Sequence, residues 1–120
     1  MHVYLICPVR NATEEDRAFT REYVAKLEHE GHSVHFPPRD SDQTEDGIGL
    51  RVNESNRQGI LNADEVHIFW DPRSTGSHFD LGMVFMLRAM RGCPIRVINT
   101  IEKTETKSYG NIILELASRS

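Results

Sequence analysis

A chain of 120 residues is long enough for one ordinary hydrophobic core, so a single domain over residues 1–120 is expected; a second independent domain or the roughly 250 residues of a (β/α)₈ barrel is excluded. With 38% hydrophobic and 27% charged residues the composition is globular, and 14 Lys and Arg against 18 Asp and Glu leave a net charge of -4, the wrong sign for a general binder of nucleic-acid polymers. Cys7 and Cys93 form no CxxC pair, so neither a disulfide framework nor a zinc knuckle is indicated and a reducing cytoplasm is the expected setting. No stretch approaches the roughly 18 apolar residues of a membrane span, and the opening residues lack the basic start of a signal peptide, so no membrane partner is expected.

Taken in chain order, residues 3–7 form a short apolar run stopped by Pro8 and predict a buried strand. Thr13 to Asp16 resembles a capping box with an acidic first turn; Phe19, Tyr23, Val24 and Leu27 then recur at helical spacing, and Gly31 supplies the stop. A second strand over residues 32–36 closes at Pro37 and Pro38. The acidic residues 39–49 predict a loop longer than usual for an α/β unit. A second helix is expected over about residues 50–62, weakened by Gly59, and a third strand over 65–70. A turn-rich loop leads to a strongly apolar helix over 79–90, ended by Gly92, then a strand over 94–98, a polar connection over 100–108 and a last helix over 112–117. Alternating strands and helices predict a doubly wound, Rossmann-like or flavodoxin-like parallel sheet of four to five strands with helices on both faces.

In such a sheet ligands bind beyond the carboxyl ends of the strands, which directs attention to the loops at residues 7–13, 37–49, 71–78 and 99–108. The third is the richest. Arg73, Ser74, Thr75, Gly76, Ser77 and His78 place a guanidinium, three hydroxyls and a glycine just ahead of a helix N-terminus, where unpaired N–H groups and the helix dipole favour an anion. Two readings are open here: a phosphate cradle, or Ser77 as a simple N-cap beside a solvated turn. The glycine spacing matches neither a P-loop nor a dinucleotide fingerprint. Asp80, expected in the first helical turn, is either a dipole-compensating acid or a carboxylate able to attack or stabilise an electron-deficient carbon. Arg10 is either an anion ligand or the partner of an acid on the next helix. Phe36 and Trp70, at strand ends, either stack on a base or belong to the core. The six histidines show no metal-ligand spacing, and the calcium-like run from Asp40 has Glu45 where a glycine is required and Arg51 at its twelfth position, so no metal is expected.

Tyr4-Leu5-Ile6-Cys7-Pro8-Val9-Arg10, Asn62-Ala63-Asp64 and Gly76-Ser77-His78-Phe79-Asp80-Leu81-Gly82 together resemble the nucleoside 2-deoxyribosyltransferase family, especially its branch of nucleoside monophosphate N-glycosidases, over residues 2–99. The resemblance implies that Asp80 stands at the position of a catalytic glutamate, on a stem one methylene shorter, and that Asn56 stands at the position of a second acid that orients the sugar and protonates the leaving base. An amide there hydrogen-bonds but supplies no such proton. It further implies that Arg10 and Ser74 hold a 5′-phosphate, with Ser77 expected to join them, that Tyr4 lies near the sugar, and that Cys7, Pro8, Phe36, Arg73, Gly76 and His78 complete the substrate site. Family sites are commonly finished by a neighbouring subunit, for which Lys107, Ser108 and Tyr109 are the candidates; Met83, Met86, Leu87 and Met90 suit a helix pair across a two-fold axis.

The function this implies is cleavage or transfer of the N-glycosidic bond of a nucleoside or nucleoside 5′-monophosphate, without a cofactor, in a homodimer or higher homo-oligomer. The alternative is a noncatalytic nucleotide-binding or sensing module that keeps the phosphate cradle without the acid pair.

Overall fold

The computed structural model describes residues 1–44 and 47–120. Glu45 and Asp46, within the acidic loop expected at residues 39–49 and within its calcium-like spacing, lie outside the described residues. Among those described, four strands alternate with helices: β1 (His2–Ile6), α1 (Glu14–His29), β2 (Ser33–His35), α2 (Pro37–Asp40), α3 (Leu50–Leu61), β3 (Glu65–Ile68), α4 (Thr75–Arg91), β4 (Ile95–Val97) and α5 (Tyr109–Ser118). The strands form one parallel sheet in the order β2-β1-β3-β4. The chain thus winds one way from β1 to β2 and the other way from β3 to β4, leaving a switch point between β1 and β3.

Alternation along β1 divides the core. Val3 and Leu5 pack with Val24 of α1, Val34 and Phe36 on one face, while Tyr4 and Ile6 pack with Ile60 of α3, Leu81 and Val84 of α4 and Ile113 of α5 on the other. Helices therefore cover both faces, as expected of this class. α1 opens with the capping box read from the sequence: Thr13 Oγ1 accepts from the Asp16 N–H and Asp16 Oδ2 accepts from the Thr13 N–H, both at 3.1 Å. Gly31, at φ +95°, and Gly92, at φ +70°, end α1 and α4 in the left-handed conformation that only glycine adopts without strain.

Four boundaries differ from the sequence-based expectation for a local reason. α4 begins at Thr75, four residues early, because Ser74 caps it with Oγ accepting from the Ser77 N–H at 3.2 Å. Asp80 therefore sits in the second turn, so the reading of it as a first-turn dipole acid fails, and Ser77 is not the N-cap. The expected 39–49 loop starts two residues late, because residues 39 and 40 belong to the one-turn α2, in which Pro37 and Pro38 occupy first-turn positions whose N–H groups would have no helical partner anyway. α5 begins at Tyr109, three residues early, capped by the Ser108 hydroxyl. β3 stops at Ile68 rather than at residue 70, and beyond it Asn99 clamps the Trp70 backbone, accepting from its N–H and donating to its carbonyl at 2.8 Å each. No helix among the described residues is long and apolar enough to cross a membrane.

Candidate functional site

At the carboxyl ends of β1 and β3, beside the switch point, a cavity of about 280 Å³ opens between the first loop, α3 and the start of α4. Cys7 and Arg10 reach it from the first loop, Asn53 and Asn56 from α3, and Ser74, Thr75, Gly76 and Asp80 from the α4 side. Six of the fourteen residues expected at a site from the sequence thus meet in one place: Cys7, Arg10, Asn56, Ser74, Gly76 and Asp80.

Asp80 is the chemical centre of this cavity. It is only 5% exposed; Oδ2 accepts a 2.7 Å hydrogen bond from the Tyr4 hydroxyl, while Oδ1 is buried with no partner among the described residues. Burial pushes its carboxyl up to about 6, against the opposing pull of the Tyr4 hydrogen bond. Tyr4 is fully buried, and burial followed by the Asp80 charge holds its phenol neutral, as a fixed donor. The same two causes push the Cys7 thiol up to about 12, so it presents a neutral sulfur and not a thiolate nucleophile.

Opposite Asp80, Asn56 accepts at Oδ1 from the Ser41 hydroxyl at 2.7 Å. Having spent its one proton there, Ser41 Oγ accepts from Ser55 at 3.0 Å and from His35 Nε2 at 3.1 Å, which fixes the His35 tautomer with its proton on Nε2. The Asn56 amide nitrogen is thereby left as a donor for the cavity. Burial lowers the pKa of His35.

On the α4 side, Ser74, Thr75 and Gly76 form the cap and first turn of a 17-residue helix, where the N–H groups of Thr75 and Gly76 have no intrahelical acceptor and the dipole is positive. Arg10 stands exposed at the rim with no partner among the described residues. Unpaired N–H groups, the Arg10 guanidinium and a buried carboxyl group thus border one cavity.

The remaining sequence candidates lie elsewhere. Tyr4 does not line the cavity itself but is hydrogen-bonded to Asp80, which does. Arg73 is bound to Asp71 through Nε at 3.1 Å and Nη2 at 2.9 Å, which lowers the Asp71 pKa, and it is not among the residues that line the cavity. Ser77 is 2% exposed with its hydroxyl unpartnered among the described residues. His78 packs between Trp70 and Tyr109, its Nδ1 2.7 Å from the Ser74 carbonyl, and Trp70 belongs to the core. Phe36 and Pro8 border a separate groove behind the first loop, on the α1 side. Lys107 and Ser108 line a shallow groove with Phe85 and Ile112, away from the cavity of their own chain. Asn53, Ser41 and His35 were missed by sequence reasoning. Asn53 was within reach of it, one helical turn before Asn56, whereas Ser41 and His35 join the site only through tertiary contacts.

The fold places the chain in a structural class. No protein-family model and no curated protein matches the chain. Among solved structures it is similar to the 2-deoxyribosyltransferase of the psychrotolerant bacterium Bacillus psychrosaccharolyticus, at 20% identity and a TM-score of 0.64 over 81% of this chain and 71% of that one. It is similar also to a conserved protein from Enterococcus faecalis V583, at 11% identity and a TM-score of 0.63 over 88% of this chain and 68% of that one. The chain therefore has the Rossmann-like α/β fold of these neighbours, and the fold is what the likeness shows.

Proposed function

We propose that this chain cleaves or transfers the N-glycosidic bond of a nucleoside or nucleoside 5′-monophosphate, with Asp80 as the working carboxylate. The observation that carries the reading is a buried carboxylate at the strand ends, one oxygen fixed by Tyr4 and the other unpaired, beside a polar cavity that a helix N-terminus borders. With its pKa at about 6, Asp80 is mostly ionised at neutral pH. As the C1′–N bond breaks, its electron pair leaves with the base and the sugar ring oxygen shares the positive charge left on C1′. Asp80 either bonds to C1′, forming an ester that water or a second base resolves, or stabilises the cation while water adds. Tyr4 donates to the oxygen that is not reacting. The departing base takes its proton from water, since Asn56 has no acidic proton and the Cys7 thiol is too weak an acid. This chemistry calls for no cofactor.

Arg10, the hydroxyl of Ser74 and the free N–H groups of Thr75 and Gly76 are the phosphate ligands in this reading, and the Asn56 amide donates to a sugar hydroxyl or a base acceptor. A cavity of about 280 Å³ falls just short of the usual range of ligand sites, roughly 300 to 1,000 Å³. A second copy of the chain supplies the missing wall. Its support is the apolar groove of about 570 Å³ between α3 and α4, where Leu61, Phe79, Met86 and Met90 are each more than half exposed. The accessible surface, 7510 Å², also exceeds the roughly 6,600 Å² expected of a folded monomer of this mass. Lys107 and Ser108, remote from their own cavity, then serve a neighbour's. Two buried free thiols suit a reducing setting such as the cytoplasm.

Incubation with a set of nucleoside 5′-monophosphates and the matching nucleosides, followed by chromatography, tests the reading. Free base should appear from monophosphates faster than from nucleosides. No base across the set, with Asp80→Glu gaining nothing, contradicts it. The second reading, a noncatalytic nucleotide-binding module, is favoured by one observation, the amide of Asn56 where a second acid would stand; a melting shift with nucleotide but no turnover selects it.

A further inference from the structure

One half-buried ring connects the two halves of the site. His35 stacks on Tyr4 with ring centroids 5.3 Å apart and planes 25° from parallel. On one side Tyr4 holds Asp80, and on the other His35 Nε2 meets the Ser41 hydroxyl that holds Asn56. α3 crosses this stack at Gly59. A Cβ at that position would lie 2.6 Å from His35 Cγ, 2.7 Å from His35 Nδ1 and 3.0 Å from Tyr4 Cδ1. Tyr4 is fully buried and His35 half-buried, and neighbouring strands hold the two residues in register, Tyr4 opposite His35. The ring would have to move to admit even a methyl group.

Gly59 lies in the last turn of a 12-residue helix, two residues before its end, where alanine is still the better choice by propensity. We propose that Gly59 is a positioning residue: its missing side chain seats His35 against Tyr4, and the seated ring sets both the Tyr4–Asp80 hydrogen bond and, through Ser41, the orientation of the Asn56 amide. The proposal rests on the reading of Asp80 and Asn56 as the working groups of the site, and it assigns the backbone of α3 the task of holding them in one frame.

The test uses the ligand-free protein, so its failure is separate from a failure of glycosidic activity. In Gly59→Ala, ¹³C-detected NMR should find the Asp80 carboxyl titrating at higher pH than in the wild type, because the displaced Tyr4 no longer donates to it while burial is retained. The Asn56 side-chain amide resonances should move as well. Melting temperature should fall, against the rise that helix propensity alone dictates. In a double-mutant cycle with His35→Ala, the added methyl should cost little once the ring is gone, so Gly59→Ala/His35→Ala should melt near His35→Ala alone. The cycle remains decisive if Gly59→Ala by itself does not fold, because the double variant should then fold. Unmoved Asp80 and Asn56 signals in a folded Gly59→Ala overturn the proposal, as does a melting loss that is the same with and without the His35 ring.

Discussion

The two faces of the sheet each carry a tyrosine hydroxyl bonded at 2.7 Å to a buried titratable side chain, and the pairs differ in what is left over. On the α1 face Tyr23 bonds His67 Nδ1, and His67 Nε2 lies 3.4 Å from Glu65, so both ring nitrogens have partners; burial lowers the His67 pKa and keeps the ring neutral. On the α3 and α4 face Tyr4 bonds Asp80 Oδ2, while Oδ1 has no partner among the described residues and the carboxylate borders a cavity. Both groups are buried and both have shifted pKa values. Neither property separates a site from a structural contact. The separating features are the unpaired valence and the adjoining space, because a buried polar atom without a partner costs about 1–3 kcal/mol and is retained where a ligand completes it.

The largest effect that sharpens this contrast belongs to Asp80→Asn. Base release should fall about a thousandfold or more, the scale of losing a catalytic charge. Stability should move the opposite way. Between the unfolded value of 3.8 and the folded value of about 6 the folded chain keeps a proton that the unfolded chain has lost, so stability declines as pH rises through this window and the cost is complete above it. At about 1.4 kcal/mol per pH unit, the asparagine should stabilise the protein by up to about 3 kcal/mol at pH 7 and by almost nothing below pH 4, as urea melts at the two pH values will show. Tyr4→Phe comes next. Losing the donor to Oδ2 should move the Asp80 titration to higher pH and slow base release by about tenfold to a hundredfold, read by NMR titration and initial rates. Tyr23→Phe should be the smallest, about 1 kcal/mol of stability with base release unchanged. Equal losses of activity in Tyr4→Phe and Tyr23→Phe would break the contrast.

Much of this architecture was legible in the chain. Short apolar runs ended by Pro8 and Pro37 marked β1 and β2, the Thr13–Asp16 box marked α1, and strand-helix alternation marked a parallel sheet whose switch point locates the cavity. The start of α4 was less legible because its first turn, Thr-Gly-Ser-His, shows no apolar periodicity: Thr75 and Gly76 border the cavity, and the Ser74 cap defines the turn. Phe36 and His78 lie outside the cavity lining for a related reason. A strand end or a helix start gives the position of a backbone but not which face its side chain takes, and these rings turn to the α1 side and to Tyr109. The His35–Ser41–Asn56 chain left no local trace, since its members come from β2, the end of α2 and α3 and meet only after folding. Gly59 read as a weakness in α3 and proved to be a clearance, a meaning that depends entirely on the rings beneath it.

The central claim is that Asp80 works as an ionised carboxylate on a nucleoside or nucleotide. Its most direct test is the pH dependence of kcat/KM for base release from a nucleoside 5′-monophosphate by the wild-type protein. The rate should rise with pH and level off through an inflection near 6, the folded value of Asp80, and in Tyr4→Phe the inflection should move to higher pH. A rate that does not change across pH 5 to 7, or an inflection that Tyr4→Phe leaves in place, would contradict the assignment.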